Sequence, residues 1–226
     1  MGLFDFLKKQ PAAPPPAGPY ADPSINRLYE LLFCDNLDLY RTAGQEPRTY
    51  PFDVLLAEAT TPAQLQQLLD NPRTEPRVAL LAYRRQQALG HPVAHQELLA
   101  IIVEVGLEDG LDVLASFRDG TARYFNQAGK LLIWETTTDA TANELTAQLF
   151  ASGQQVVAQI GPWHEARRPA PPRGVTRLTF LVSDGLYFGE GPTDVLFADP
   201  LAAATLGAAT QLLRYLTQTA LARPQP

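Results

Sequence analysis

Residues 98–135, LLAIIVEVGLEDGLDVLASFRDGTARYFNQAGKLLIWE, constrain the fold most, because three turn signals divide them into four short segments rich in β-branched and aromatic residues. Asp109-Gly110 and Asp119-Gly120 have the chemistry of tight hairpin turns, and Asn126-Gln127-Ala128-Gly129 suits a longer one. Strands joined by connections this short pair antiparallel, since a parallel crossover needs a dozen or more residues. The spacing therefore predicts a four-strand meander. Leu111, Val113, Ala115 and Phe117 alternate with Asp112, Leu114 and Ser116, which predicts one face packed on helices and the other less fully covered.

A second hairpin is expected in VTRLTFLVSDGLYFGEG, turning at Asp184-Gly185. Helices are predicted around these strands. Ser24 reads as the N-cap of an amphipathic helix running to about Leu39, Thr61-Pro62 opens a second, and Glu75-Pro76 opens a third that Gly90 and Pro92 close. FDVLLAEA, within residues 50–59, fits a buried strand or a helical turn equally. Thr141 and Glu144 form a capping box before a long helix, and Asp199-Pro200 starts the last one. The fold class is therefore α+β: an antiparallel sheet, four-strand meander plus hairpin, with helices mainly on one face and a helical N-terminal part before it. Four regions follow: an apolar tip with a proline-rich linker (1–23), the helical part (24–92), the antiparallel α+β domain (93–222) and a tail (223–226).

With 46% hydrophobic and 19% charged residues the composition is that of a globular chain. The formal charge of −6 opposes general attraction to nucleic acid, so no nucleic-acid partner is expected. Cys34 is the only cysteine, so no intrachain disulfide forms, and a reducing, cytoplasmic setting is expected. No apolar run approaches the roughly 20 residues that span a bilayer.

Catalytic and ligand motifs are weak throughout. His91 and His95 have metal-ligand spacing, but Gly90 and Pro92 place them in a linker. Asp35 beside Cys34 disfavours a thiolate, so Cys34 reads as a small core side chain. Glu104, Glu108, Asp109 and Asp112 gather at the first hairpin, where solvated turn charges and an edge-protecting Glu104 are the expectation. Gly185, Gly189 and Gly191 match neither phosphate-binding glycine pattern. No cofactor and no metal are expected.

Two segments carry the chemistry of a contact surface. Leu3, Phe4, Phe6 and Leu7 make an apolar tip on a proline-rich tether, suited to a partner groove or a membrane surface. Trp163, His164, Arg167, Arg168 and Arg173 lie in a proline-rich loop and combine residue types enriched at binding hot spots. The expected function is a non-enzymatic protein-interaction module, an adaptor or chaperone-like protein with a protein partner. One alternative is an enzyme or small-ligand sensor with a pocket between sheet and helices, using Glu104 or Glu135 with His164. Another is a peripheral membrane protein attached through residues 1–9. Edge strands and the alanine-rich last helix are compatible with a homodimer.

Overall fold

The computed structural model describes residues 18–41, 49–91, 93 and 95–222. The apolar tip, the linker as far as Ala17, Pro92 and the tail lie outside the described residues. Six strands form one antiparallel sheet in the order β4-β3-β2-β1-β5-β6. The meander comprises β1 (Leu98–Gly106), β2 (Leu111–Phe117), β3 (Ala122–Phe125) and β4 (Leu131–Trp134). The hairpin of β5 (Val175–Val182) and β6 (Gly185–Pro192) joins it through β1–β5 pairing, which makes β1 a central strand. Gly110 and Gly120 both take positive φ, as their hairpin turns require.

Strand alternation sends the two faces into different cores. Ala100, Ile102, Val113, Ala115 and Leu181 belong to one core; Ile101, Val103, Leu114, Leu178 and Phe180 belong to the other. The second is filled by α5 (Ala140–Val157) and α7 (Ala203–Ala222), so the helices after the meander share one face. The first is filled by the helical N-terminal part: α1 (Pro23–Leu31), a 3-10 turn (Leu37–Tyr40), α2 (Phe52–Leu56), α3 (Pro62–Asp70) and α4 (Pro76–Ala88). Both faces are thus covered. Leu114 and Ser116, expected on the less covered face of β2, are buried, because that face carries α5 and α7.

Several boundaries differ from the sequence reading for identifiable reasons. Helix α1 starts one residue beyond Asp22, whose carboxylate accepts from the Ser24 amide at 2.8 Å; it ends at Leu31 because Cys34 adopts φ +49°. Cys34 therefore sits in a turn after the helix, buried as expected. Asp139, not Thr141, caps α5, accepting from Ala142 N at 2.9 Å. FDVLL is the short helix α2. Helix α6 (Thr193–Ala198) is an element the sequence reading lacked, and Asp199 accepts from the Leu201 and Ala202 amides ahead of α7.

Candidate functional site

Glu104 departs furthest from expectation. It lies on central β1, fully buried, and protects no edge. Its cross-strand neighbour on β5 is Arg177, whose neighbour on β6 is Glu190, so register alone aligns carboxylate, guanidinium and carboxylate on the face toward α1. Tyr29 of α1 donates its hydroxyl to Glu104 Oε1 at 2.6 Å. Arg177 Nη1 stands 3.7 Å from Glu104 Oε2, an oxygen with no hydrogen-bond partner. Arg177 is itself fixed by Glu190 (Nε to Oε2, 2.7 Å) and by the carbonyls of Arg168 and Pro169. Burial pushes the Glu104 carboxyl above the usual carboxylate range, opposed by the Tyr29 hydrogen bond and by Arg177 and Arg167. This ladder fastens the N-terminal layer to the sheet.

The Trp163 loop runs along β6. Trp163 forms an antiparallel bridge with Leu186, its amide donating to the Leu186 carbonyl at 2.7 Å, and its ring meets Phe188 edge-on at 5.0 Å. Half-buried Arg167 pairs with Glu30 and with Asp35 (2.9 Å), its guanidinium 3.8 Å from the centre of the Phe33 ring. Arg168 pairs with Glu190 at 3.4 Å and lies over Trp163 and Phe188. Arg173 pairs with Glu108 at 3.0 Å where both are exposed. His164 is exposed. Of the nine residues expected to bind a partner, Trp163 and Arg168 meet along β6, Arg167 turns to α1 and Arg173 to the β1–β2 turn, while Leu3, Phe4, Phe6 and Leu7 lie outside the described residues.

Of the groups expected to form a catalytic pocket, Glu135 and His164 are not brought together, and Glu104 is enclosed by Tyr29 and Arg177. Glu135 follows edge strand β4 and pairs with Arg123, whereas His164 follows the residue bridged to the opposite edge strand, β6. Five inter-strand spacings of about 4.8 Å separate those edges by roughly 24 Å. Among the described residues no group of three or more His, Cys, Asp or Glu side chains is arranged to hold a metal ion. Nor is any described helix long and apolar enough to cross a membrane.

An open apolar cleft lies elsewhere, in the N-terminal layer between α2, α3 and α4. Its volume is about 400 Å³. The residues build it from three separate segments. Thr61 and Gln64 close a reciprocal capping box that starts α3, whose Leu68 reaches the cleft floor. The α3–α4 turn is pinned by Asn71, which accepts from the Arg73 amide on Oδ1 and from the Thr74 amide on its carbonyl, both at 3.0 Å. That turn sets Arg73 on the rim, and the first turn of α4 adds Arg77, which lies 5.5 Å from the centre of the Phe117 ring and 3.3 Å from Glu75. The aromatic wall is Tyr40 stacked on Phe52, ring centroids 6.0 Å apart, with Tyr50 beside them. Tyr40 donates to the Leu31 carbonyl at 2.9 Å, and burial raises its pKa well above the usual phenol range, so it remains a donor. Tyr50 is 59% exposed, a large aromatic left at the mouth.

Sequence reasoning missed this cleft because FDVLL was ambiguous and because Tyr40, Arg73 and Arg77 come from elements whose mutual packing no local pattern encodes. A much smaller cleft of about 120 Å³ lies between β1 to β3 and α6 and α7, with Phe197 among its lining residues. No protein-family model matches the chain, and comparison with curated proteins finds no match.

Proposed function

We propose that the protein is a non-enzymatic interaction module that receives bulky apolar side chains of a protein partner in the α2–α4 cleft. The observation carrying this reading is the combination, at one opening, of exposed Tyr50, the Tyr40–Phe52 stack, a leucine floor and two rim guanidiniums. Aromatic and arginine side chains around a concave apolar centre are the chemistry of interface hot spots. The buried acid–base chemistry supports the same reading from the other side: Glu104, Arg177 and Glu190 hold layers together, and Arg167 and Arg168 are paired within the chain. A cleft of this volume falls within the ~300–1,000 Å³ of small-molecule pockets. Commitment to a protein occupant rests on its openness and on the exposed Tyr50.

Affinity enrichment from the native cell, comparing the wild-type chain with Tyr50→Asp, tests the proposal. Tyr50 is exposed, so the variant folds, and a captured partner is expected to fall at least tenfold. Equal capture by both chains refutes the cleft as the contact site.

A further inference from the structure

From the geometry of the cleft we infer that its resident occupant is the tip of this same chain, Leu3-Phe4-Asp5-Phe6-Leu7, so that the tip competes with a partner for the site. The inference rests on the cleft being a binding surface, as proposed above. Three observations carry it.

The chemistries match. The cleft presents aromatic and aliphatic walls, with Arg73 and the Arg77–Glu75 pair on the rim, a net positive edge, and the tip sets one carboxylate, Asp5, between two phenylalanines and two leucines. Phenylalanine rings fill apolar walls, and a carboxylate beside them meets the guanidiniums.

The reach suffices. The described chain begins at Gly18, clasped beside α1, where Tyr20 N donates to Asn26 Oδ1 at 2.8 Å and Asn26 Nδ2 donates to the Tyr20 carbonyl at 2.7 Å. Helix α1 runs for 9 residues from there to Leu31, whose carbonyl accepts from cleft residue Tyr40. At 1.5 Å per residue that path is about 14 Å plus the length of a side chain or two. Residues 8–17, KKQPAAPPPA, span about 30 Å at ~3.1 Å per residue for a proline-rich segment.

Tethering then makes weak affinity sufficient. A short tether holds its ligand at an effective concentration on the order of 1 mM, so an intrinsic Kd of about 100 µM fills the cleft roughly nine-tenths and weakens any competitor about tenfold.

The test uses the full chain and a fluorescein-labelled probe peptide of sequence GLFDFLKK, read by anisotropy. The probe is expected to bind the Phe4→Glu/Phe6→Glu chain, whose own tip cannot compete, with 1:1 saturation, and to bind the wild-type chain about tenfold more weakly. Adding Arg73→Glu to the double variant is expected to weaken binding several-fold, and a probe with Asp5→Lys to restore it. No binding to the double variant, or equal binding to both chains, overturns the inference. So does a concentration-dependent dimer of the wild-type chain that dissociates on Phe4→Glu/Phe6→Glu, since the tip then sits in a second copy. Failure here alongside Tyr50-dependent partner capture leaves the interaction reading standing, whereas loss of both removes the cleft as a binding surface.

Discussion

Replacing Tyr29 with Phe isolates the one hydrogen bond that reaches the buried carboxylate of Glu104. The phenol donates to Oε1 at 2.6 Å, and Oε2 has no hydrogen bond, so the substitution leaves Glu104 with none. The ring's edge contacts with Phe33 and Tyr20 are retained. A hydrogen bond contributes about 0.5–1.5 kcal/mol net to a neutral carboxyl and about 1.5–3 kcal/mol to a carboxylate, so a loss near 2 kcal/mol is expected once Glu104 is ionised. For a chain of this size that is a fall in Tm of about 4–8 °C. The loss has a pH signature. Burial raises the folded Glu104 pKa above its ordinary 4.5, so its contribution is full below about 4.5 and is lost as pH rises through the folded value. Tyr29→Phe removes an influence that lowers that value and moves it further up. Both chains share the unfolded value, so the gap widens as pH rises through the folded wild-type value, which lies above 4.5, and is smallest below it. Glu104→Gln abolishes this titration while Arg177 keeps Glu190 as its partner, and the Gln carbonyl accepts the same Tyr29 hydroxyl as a neutral group, so Tyr29→Phe is expected to cost less in that background, about 1 kcal/mol, and independently of pH. Urea unfolding of the four chains at pH 4.5, 6 and 7.5 measures the cycle. A Tyr29→Phe penalty below about 0.5 kcal/mol at pH 7.5, or one unchanged in the Glu104→Gln background, refutes the assignment.

Two further outcomes follow from packing. A Cβ at Gly106 would lie 2.0 Å from the Pro172 carbonyl oxygen, a backbone atom that cannot swing away, so Gly106→Ala is expected to cost about 2 kcal/mol or more; a urea midpoint equal to wild type contradicts that close approach. Burial pushes the Cys34 thiol up to about 11 and encloses it, so a thiol reagent at pH 8 is expected to react with unfolded chain and not with folded; stoichiometric labelling of the native chain within minutes contradicts this.

The parts of the fold legible in sequence are those that local chemistry dictates. Gly110 and Gly120 mark the meander because a turn residue at positive φ has few alternatives to glycine, and Thr61-Pro62 and Glu75-Pro76 mark helix starts because proline lacks the amide that a first helical turn leaves unpaired. Where several residues offer the same cap, local chemistry does not choose between them. Asp22 and Ser24 compete at α1, Asp139 and Thr141 at α5, and the earlier residue is the cap each time. Long-range register was beyond reach. A glutamate on a strand reads the same whether it faces water or a buried arginine, and only β1–β5 pairing sets Glu104 opposite Arg177. The cleft was hidden likewise, since its walls come from the 3-10 turn, α2 and the α3–α4 turn, each unremarkable alone.

The central claim is that the α2–α4 cleft is where this protein meets a partner. Site-specific photo-crosslinking tests it most directly: a photoreactive phenylalanine replaces Tyr50 at the mouth of the cleft, or Leu221 as an exposed control in α7. Leu221 is the more exposed of the two, 85% against 59%, so exposure alone favours adducts at the control; in the native cell the Tyr50 position is nevertheless expected to yield one dominant protein adduct that the control lacks and that excess unlabelled wild-type chain suppresses. Absence of an adduct at Tyr50, or the same diffuse set from both positions, contradicts the account.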